Sequence, residues 1–194
     1  MEFLDLHKLT DSGLLSSGKL LIAQPMMTDS IFSRSVVFLC EHSSEGSLGF
    51  ILNKPTDLLI GDLLPDIISD DLTVKQGGPV QLDTLHILHR LPDILGGTEV
   101  SEGVYWGGSF DVLRDMIDNK TFSQEQSVNL FIGYSGWSSG QLEQEMKENS
   151  WLISKPTQDL LFDVDADDLW KQAIKSLGKE YTYLQNIPTN PQLN

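Results

Sequence analysis

The sequence predicts an α/β protein built on a mixed sheet, with a central antiparallel hairpin flanked by helices. Three observations carry that prediction. Strand-like and helix-like patterns interleave along the 194 residues. Ser35–His42 is apolar on both faces and β-branched at its start, which fits a strand covered on both sides. A turn, Ser43-Ser44-Glu45-Gly46, then leads into a second apolar run, Ser47–Asn53, and strands joined this closely are antiparallel neighbours.

The other elements follow in chain order. Residues 1–17 are polar and read as an arm laid on the body, with Phe3, Leu6 and Leu9 on one face of a short helix. Lys19–Gln24 is a short buried strand stopped by Pro25, and Lys54-Pro55 ends the hairpin's return strand. Leu58, Leu59, Leu63, Leu64 and Ile67 have helical spacing, interrupted by Pro65. Gly77-Gly78-Pro79 is a tight turn, Thr84–Arg90 a strand, and residues 92–103 a loop containing Gly96-Gly97. Ser109–Lys120 is an amphipathic helix with Phe110, Leu113 and Ile117 on its apolar face. Ser127–Tyr134 is a strand, 135–139 a turn, and Gly140–Asn149 a helix. Asp165–Leu177 is a helix with a stripe of Leu169, Trp170, Ala173, Ile174 and Leu177, and Gly178 suits its end. Residues 18–180 form a single compact domain and 181–194, with Pro188 and Pro191, an extended tail.

Composition excludes several functions. Thirteen basic residues against 28 acidic ones give a formal net charge of −15. Such a chain repels phosphate, and no basic run offers a nucleic-acid footprint. The lone Cys40 forms no internal disulfide and fits a reducing compartment. The first residues lack a secretory pattern and no apolar run approaches a bilayer span, so a cytoplasmic location is expected.

Each candidate site has a structural reading beside its chemical one. Gly136-Trp137-Ser138-Ser139-Gly140 matches G-x-S-x-G between a strand and a helix. All four histidines, His7, His42, His86 and His89, precede it, whereas a hydrolase of that architecture needs one later. Ser138 and Gln141 also have capping-box spacing, which accounts for the same residues. Glu143 and Glu145 complement that helix's dipole and oppose a phosphate there. Cys40 and His42, two apart on a strand, share a face at about 6.6 Å, too far for a direct hydrogen bond. Cys40 continues the apolar set of Val36 and Phe38, and Glu41 and His42 lie where the strand emerges. His86 and His89 have H-x-x-H spacing, but on a strand they point to opposite faces and share no metal. His89 falls with Leu85 and Ile87, at the core's edge. Trp106, Trp151 and Trp170 read as core, whereas Trp137, in a Gly-flanked turn, is placed to line a pocket or touch a partner.

Several segments together resemble the YqgE/AlgH family of bacterial proteins: Gly18–Pro25, Phe32–Val37, Glu41-His42, Gly49–Pro55, Gly77–Val80, Leu88-His89, Gly133–Trp137 and Gly140–Glu143. The resemblance covers roughly residues 14–180, and its ordered set of motifs is more specific than any one piece. It implies a compact mixed-sheet α/β fold with room for a smaller α+β lobe, no established catalytic set and no cofactor. Members often carry a transcriptional-regulator label, and one branch is linked to exopolysaccharide regulation. The family pattern varies at the position of Ser138, which counts against a nucleophile. Given the acidic charge, regulation is expected to run through a protein partner or small molecule, with no direct nucleic-acid contact and no membrane. Arg34, Glu41, His42, Asn53, His89, Trp137 and Gln141 are the polar or aromatic members of the matching segments. They would line one groove if the strand ends converge. The alternative is an enzyme of unknown reaction type using Glu41 or His42 as acid/base in a small-molecule pocket.

Overall fold

The computed structural model describes residues 9–64, 67, 72–121 and 128–188. Phe3, Leu6 and Pro65 lie outside them. The arm's described end lies on the body: the Leu9 carbonyl accepts the Ile153 N–H at 2.8 Å and Leu15 is buried.

Strand β1 (Lys19–Ala23) pairs antiparallel with β2 (Val36–Ser43), and β2 pairs with β3 (Gly46–Ile51). The chain then forms β4 (Pro55–Leu59), a single helical turn α1 (Ile60–Leu63) and β5 (Thr73–Gln76), which pairs with β4. Pro55 is tolerated because it opens its strand. Next come β6 (Val80–His89), a short α2 (Pro92–Leu95), the hairpin β7 (Thr98–Ser101) and β8 (Val104–Trp106), and α3 (Phe110–Asp118). The long strand β9 (Val128–Ser138) is followed by α4 (Gln141–Lys147), β10 (Trp151–Ser154) and α5 (Ala166–Ser176).

The main path of the sheet runs β10-β1-β2-β3-β9-β6-β8-β7 and curls into a half-barrel. Its pairings are antiparallel except that β5 runs parallel to β9. The sheet is therefore mixed. β9 holds the halves together, pairing with β3 near its C-terminal end and with β5 and β6 along the rest.

Alternation along the strands sorts the core into layers. Leu20, Ile22, Val36, Phe38 and Phe50 face α5, which supplies Leu169, Trp170, Ala173 and Ile174. Leu21, Ala23, Val37, Leu39, Ile51 and Trp137 face the other way, onto Leu142 and Met146 of α4. A third cluster joins Ile60, Val74, Ile87 and Leu130 to Leu113, Met116 and Ile117 of α3.

Several expectations need correction. Residues 55–59 form a strand, and among the described residues of the expected 57–67 helix only Ile60–Leu63 is helical. The 92–103 loop contains α2 and β7, and Trp151–Ser154 is a strand with no periodicity long enough to announce it. β9 continues through Ser138, so residues 135–138 belong to a strand. Of the expected extended tail, 181–194, the part up to Asn186 belongs to a 3₁₀ stretch over Lys179–Asn186, anchored by buried Tyr181 and Leu184, and residues 189–194 lie outside the described ones. The register shifts between Leu39 and Glu41, a β-bulge. That extra residue keeps Cys40 in the layer of Val36 and Phe38 while turning His42 to the opposite face, so the two do not share one.

Candidate functional site

The structure does not gather the seven candidates into one groove. Arg34 and Asn53 secure the entry to β2. The Asn53 amide accepts the Val36 N–H at 2.9 Å and donates to the Arg34 carbonyl at 2.9 Å. Arg34, in the left-handed region at φ 53°, lies 4.6 Å over the Trp170 ring and donates to the Ile187 carbonyl at 2.6 Å. This pair clamps the C-terminal segment against the body.

His89 is fully buried at the far end of β6. Its Nδ1 accepts the Leu91 N–H at 3.0 Å, so Nε2 carries the proton and donates to the Gly107 carbonyl at 3.1 Å. Burial lowers its pKa below the ordinary histidine value, and the bond to Gly107 offsets part of that. Gly97 and Gly108, at φ +95° and +108°, lie against the ring: a Cβ there would come within 3.2 and 3.3 Å of Nε2. His86 points to the other face, among Phe50, Trp106 and Tyr134. Among the described residues no cluster of three or more potential metal ligands occurs.

Glu41 and His42 separate. Glu41 is opposite Leu48, on the α5 side, and borders a cavity of about 470 Å³ with Ser43, Glu45, Tyr134 and Gly136. His42 is opposite Ser47, which in turn is opposite Trp137 on the α4 side. The His42 Nδ1 lies 2.8 Å from the Ser47 hydroxyl, and Nε2 lies 4.0 Å from Glu143.

Trp137 and Gln141 do converge, on a residue sequence reasoning placed only as a dipole partner. Oε2 of Glu145 accepts two indole N–H groups, from Trp137 at 2.9 Å and Trp151 at 2.8 Å. Its Oε1 accepts the Gln141 amide at 3.1 Å, and Gln141 in turn accepts the Ser138 N–H at 3.1 Å. Gln141 thus reaches back as a capping box requires. The helix cap, however, is Gly140 in left-handed conformation, and the Ser138 hydroxyl donates to Gln141. Trp137 is buried in a strand and not held in a turn.

The geometry follows from topology. α4 crosses the sheet face from β9 to β10, with β3, β2 and β1 between them. Trp137 lies one residue before the end of one flanking strand and Trp151 begins the other, and their rings meet edge-on at 6.1 Å. Phe32, from the β1–β2 loop, completes the cluster at 5.6 Å from Trp151 and 6.1 Å from Trp137. Buried indoles need acceptors, and Glu145, four residues after Gln141 on one helix face, supplies both.

Beside this cluster lies a cavity of about 580 Å³, between the β1–β2 loop and α4. Met26, Met27, Asp29, Phe32, Glu145 and Glu148 are among its lining. None of its lining residues is lysine, arginine or histidine. Met26 is 58% exposed at its mouth. Sequence reasoning missed Glu145, Phe32 and the methionines. The available signal was the pair of tryptophans flanking a helix that carries one carboxylate in register with Gln141.

Known proteins share this architecture. A family model described as AlgH-like matches residues 20–182. A UPF0301 protein of Bacteroides thetaiotaomicron is 39% identical over 98% of this chain and 97% of its own length. A UPF0301 protein of Chlorobaculum tepidum is 38% identical over 93% and 97%. The solution structure of the AlgH protein from Pseudomonas aeruginosa superposes with a TM-score of 0.66 at 29% identity, covering 89% of this chain and 94% of that one. A crystal structure from Corynebacterium diphtheriae, at 20% identity and a TM-score of 0.69, shares the fold. The chain belongs to the AlgH-like family.

Proposed function

We propose that this protein is a non-enzymatic, cytoplasmic binding protein that docks a protein partner at the α4 cavity. Any effect on transcription then runs through that partner and not through direct DNA contact. The observation that carries this reading is the cavity's lining, which combines Asp29, Glu145 and Glu148 with Met26, Met27 and Phe32 and includes no basic group. Methionines adapt to the shape of a partner's side chains, and carboxylates repel a phosphate backbone. Most of the other polar candidates are engaged internally: Asn53 and His89 satisfy backbone groups, and Arg34 holds the C-terminal segment.

A photo-crosslinking residue at Met26, introduced into the full chain in cells, tests this. The expected result is one dominant protein adduct that is absent from a control at exposed Leu82 and weakened by Glu148→Lys. No adduct at Met26, together with retention of the purified chain on duplex DNA at physiological salt, would reverse the reading.

The enzyme alternative has one favouring observation. The Ser47 hydroxyl lies 2.8 Å from Nδ1 of His42 and Glu143 lies 4.0 Å from its Nε2, and Ser47 borders the cavity of about 470 Å³. That arrangement would make His42 a base toward Ser47, with Glu41 on the other face and outside the acid–base pair. Labelling of Ser47 by a fluorophosphonate, abolished in His42→Gln, would establish it.

A further inference from the structure

We infer that the α4 cavity accepts a basic side chain, the ammonium of lysine or the guanidinium of arginine, presented by an apolar segment of the partner; this rests on the docking reading above. The argument begins with acceptor capacity. Each carboxylate oxygen offers two acceptor directions. Both on Glu145 Oε2 are used by the indoles of Trp137 and Trp151, and one on Oε1 by Gln141. One direction on Oε1 remains for a donor, and Glu145 lines the cavity.

The donors already present are all neutral. Among the described residues no lysine, arginine or histidine lies within ion-pair distance of Glu145. Glu145 is only partly exposed and its carboxylate is held by two indoles that pack on Phe32, where Coulomb attraction is stronger than in bulk water. Asp29 and Glu148 at the rim add charge of the same sign, and the whole chain carries −15. A cation is the complementary occupant. Met26, Met27 and Phe32 fit the aliphatic stem of lysine or arginine, or the apolar residues beside it. Because two indoles and a glutamine fix the carboxylate, it is held in place before the ligand arrives.

Isothermal titration of the full chain tests this, using an acetylated, amidated pentapeptide of four leucines around a central lysine. Companion peptides carry arginine or glutamine at the centre, and butylamine serves as a free-amine probe. The lysine and arginine peptides are expected to bind about 10-fold or more tightly than the glutamine peptide, through a charge-assisted hydrogen bond. Glu145→Gln should remove that preference, and added salt should weaken it. Glu148→Lys, on the exposed rim, provides a second variant with no buried contact to lose. Equal binding of the glutamine peptide overturns the inference; if the Met26 adduct persists, partner docking stands. Butylamine binding as tightly as the lysine peptide also overturns it, in favour of a free-amine site. If Met26 then gives no adduct, the docking reading falls as well.

Discussion

Glu145, on α4 where it packs on the sheet, and His89, within β6, are both polar groups with well-formed hydrogen bonds, yet one opens on a cavity and the other is sealed. His89 has two ring nitrogens and two backbone partners, with glycines closing round it. Nothing on it is left for a ligand. Glu145 serves two indoles and a glutamine and still lines a cavity of about 580 Å³. Hydrogen-bond satisfaction alone therefore does not separate a structural residue from a binding one. Remaining acceptor capacity and access do.

The largest effect expected on the α4 side comes from Trp151→Ala. It empties a site with 1% exposure and frees Glu145, so chemical denaturation should register a loss of about 3–5 kcal/mol. At the sealed end, His89→Ala leaves the Leu91 N–H and the Gly107 carbonyl without their partner, for a loss of about 2–4 kcal/mol. A pH series sharpens the contrast. Because burial lowers the folded-state pKa of His89 below 6.5, the unfolded chain binds the proton more readily. Its contribution is complete above pH 6.5 and is lost as pH falls through the folded value. His86 is lowered in the same direction, so His89→Gln should flatten that acid-side slope only in part. Glu145→Gln keeps an amide oxygen for the indoles and is expected to cost only about 1–2 kcal/mol, while removing the cavity's preference for cations. The smallest effect concerns Cys40. Burial, with the Glu41 charge adding to it, raises its thiol well above the ordinary value, so a thiol reagent at pH 8 should label it only after unfolding.

Much of the frame was legible in the sequence because it rests on patterns longer than about five residues. The runs 35–42 and 47–53, the 109–120 stripe and the 165–177 stripe each carry enough periodicity to declare themselves. The short elements β4, α2, β7 and β10 do not, since four or five residues cover only about one helical turn or two strand repeats, and the partners of β4 and β10 lie far along the chain. The bulge at Cys40 was invisible for a related reason: one inserted residue reverses the face of everything after it. Its consequence was large, because it parted Cys40 from His42.

The site was less legible still. His89 could be placed at a core edge from its neighbours Leu85 and Ile87, and the structure buries it completely. Trp137 and Gln141 were singled out, but the atom that joins them was not. Glu145 looked like one of two acids near a helix start, and only the return of the chain through β10 brings Trp151 to its other side. A carboxylate shared by tryptophans from two strands is a property of topology, and local pattern does not contain it.

The indole Nε1–H resonances of Trp137 and Trp151 report on Glu145 directly, and the amides of Gly97, Gly107 and Gly108 report on the sealed histidine. The decisive measurement is a proton–nitrogen correlation spectrum of the full chain titrated with the lysine-centred peptide. Saturable shifts of both indole signals, with the glycine amides unmoved and the glutamine-centred peptide inert, are the predicted result. Unmoved indoles, or shifts centred on the glycines, would contradict the account.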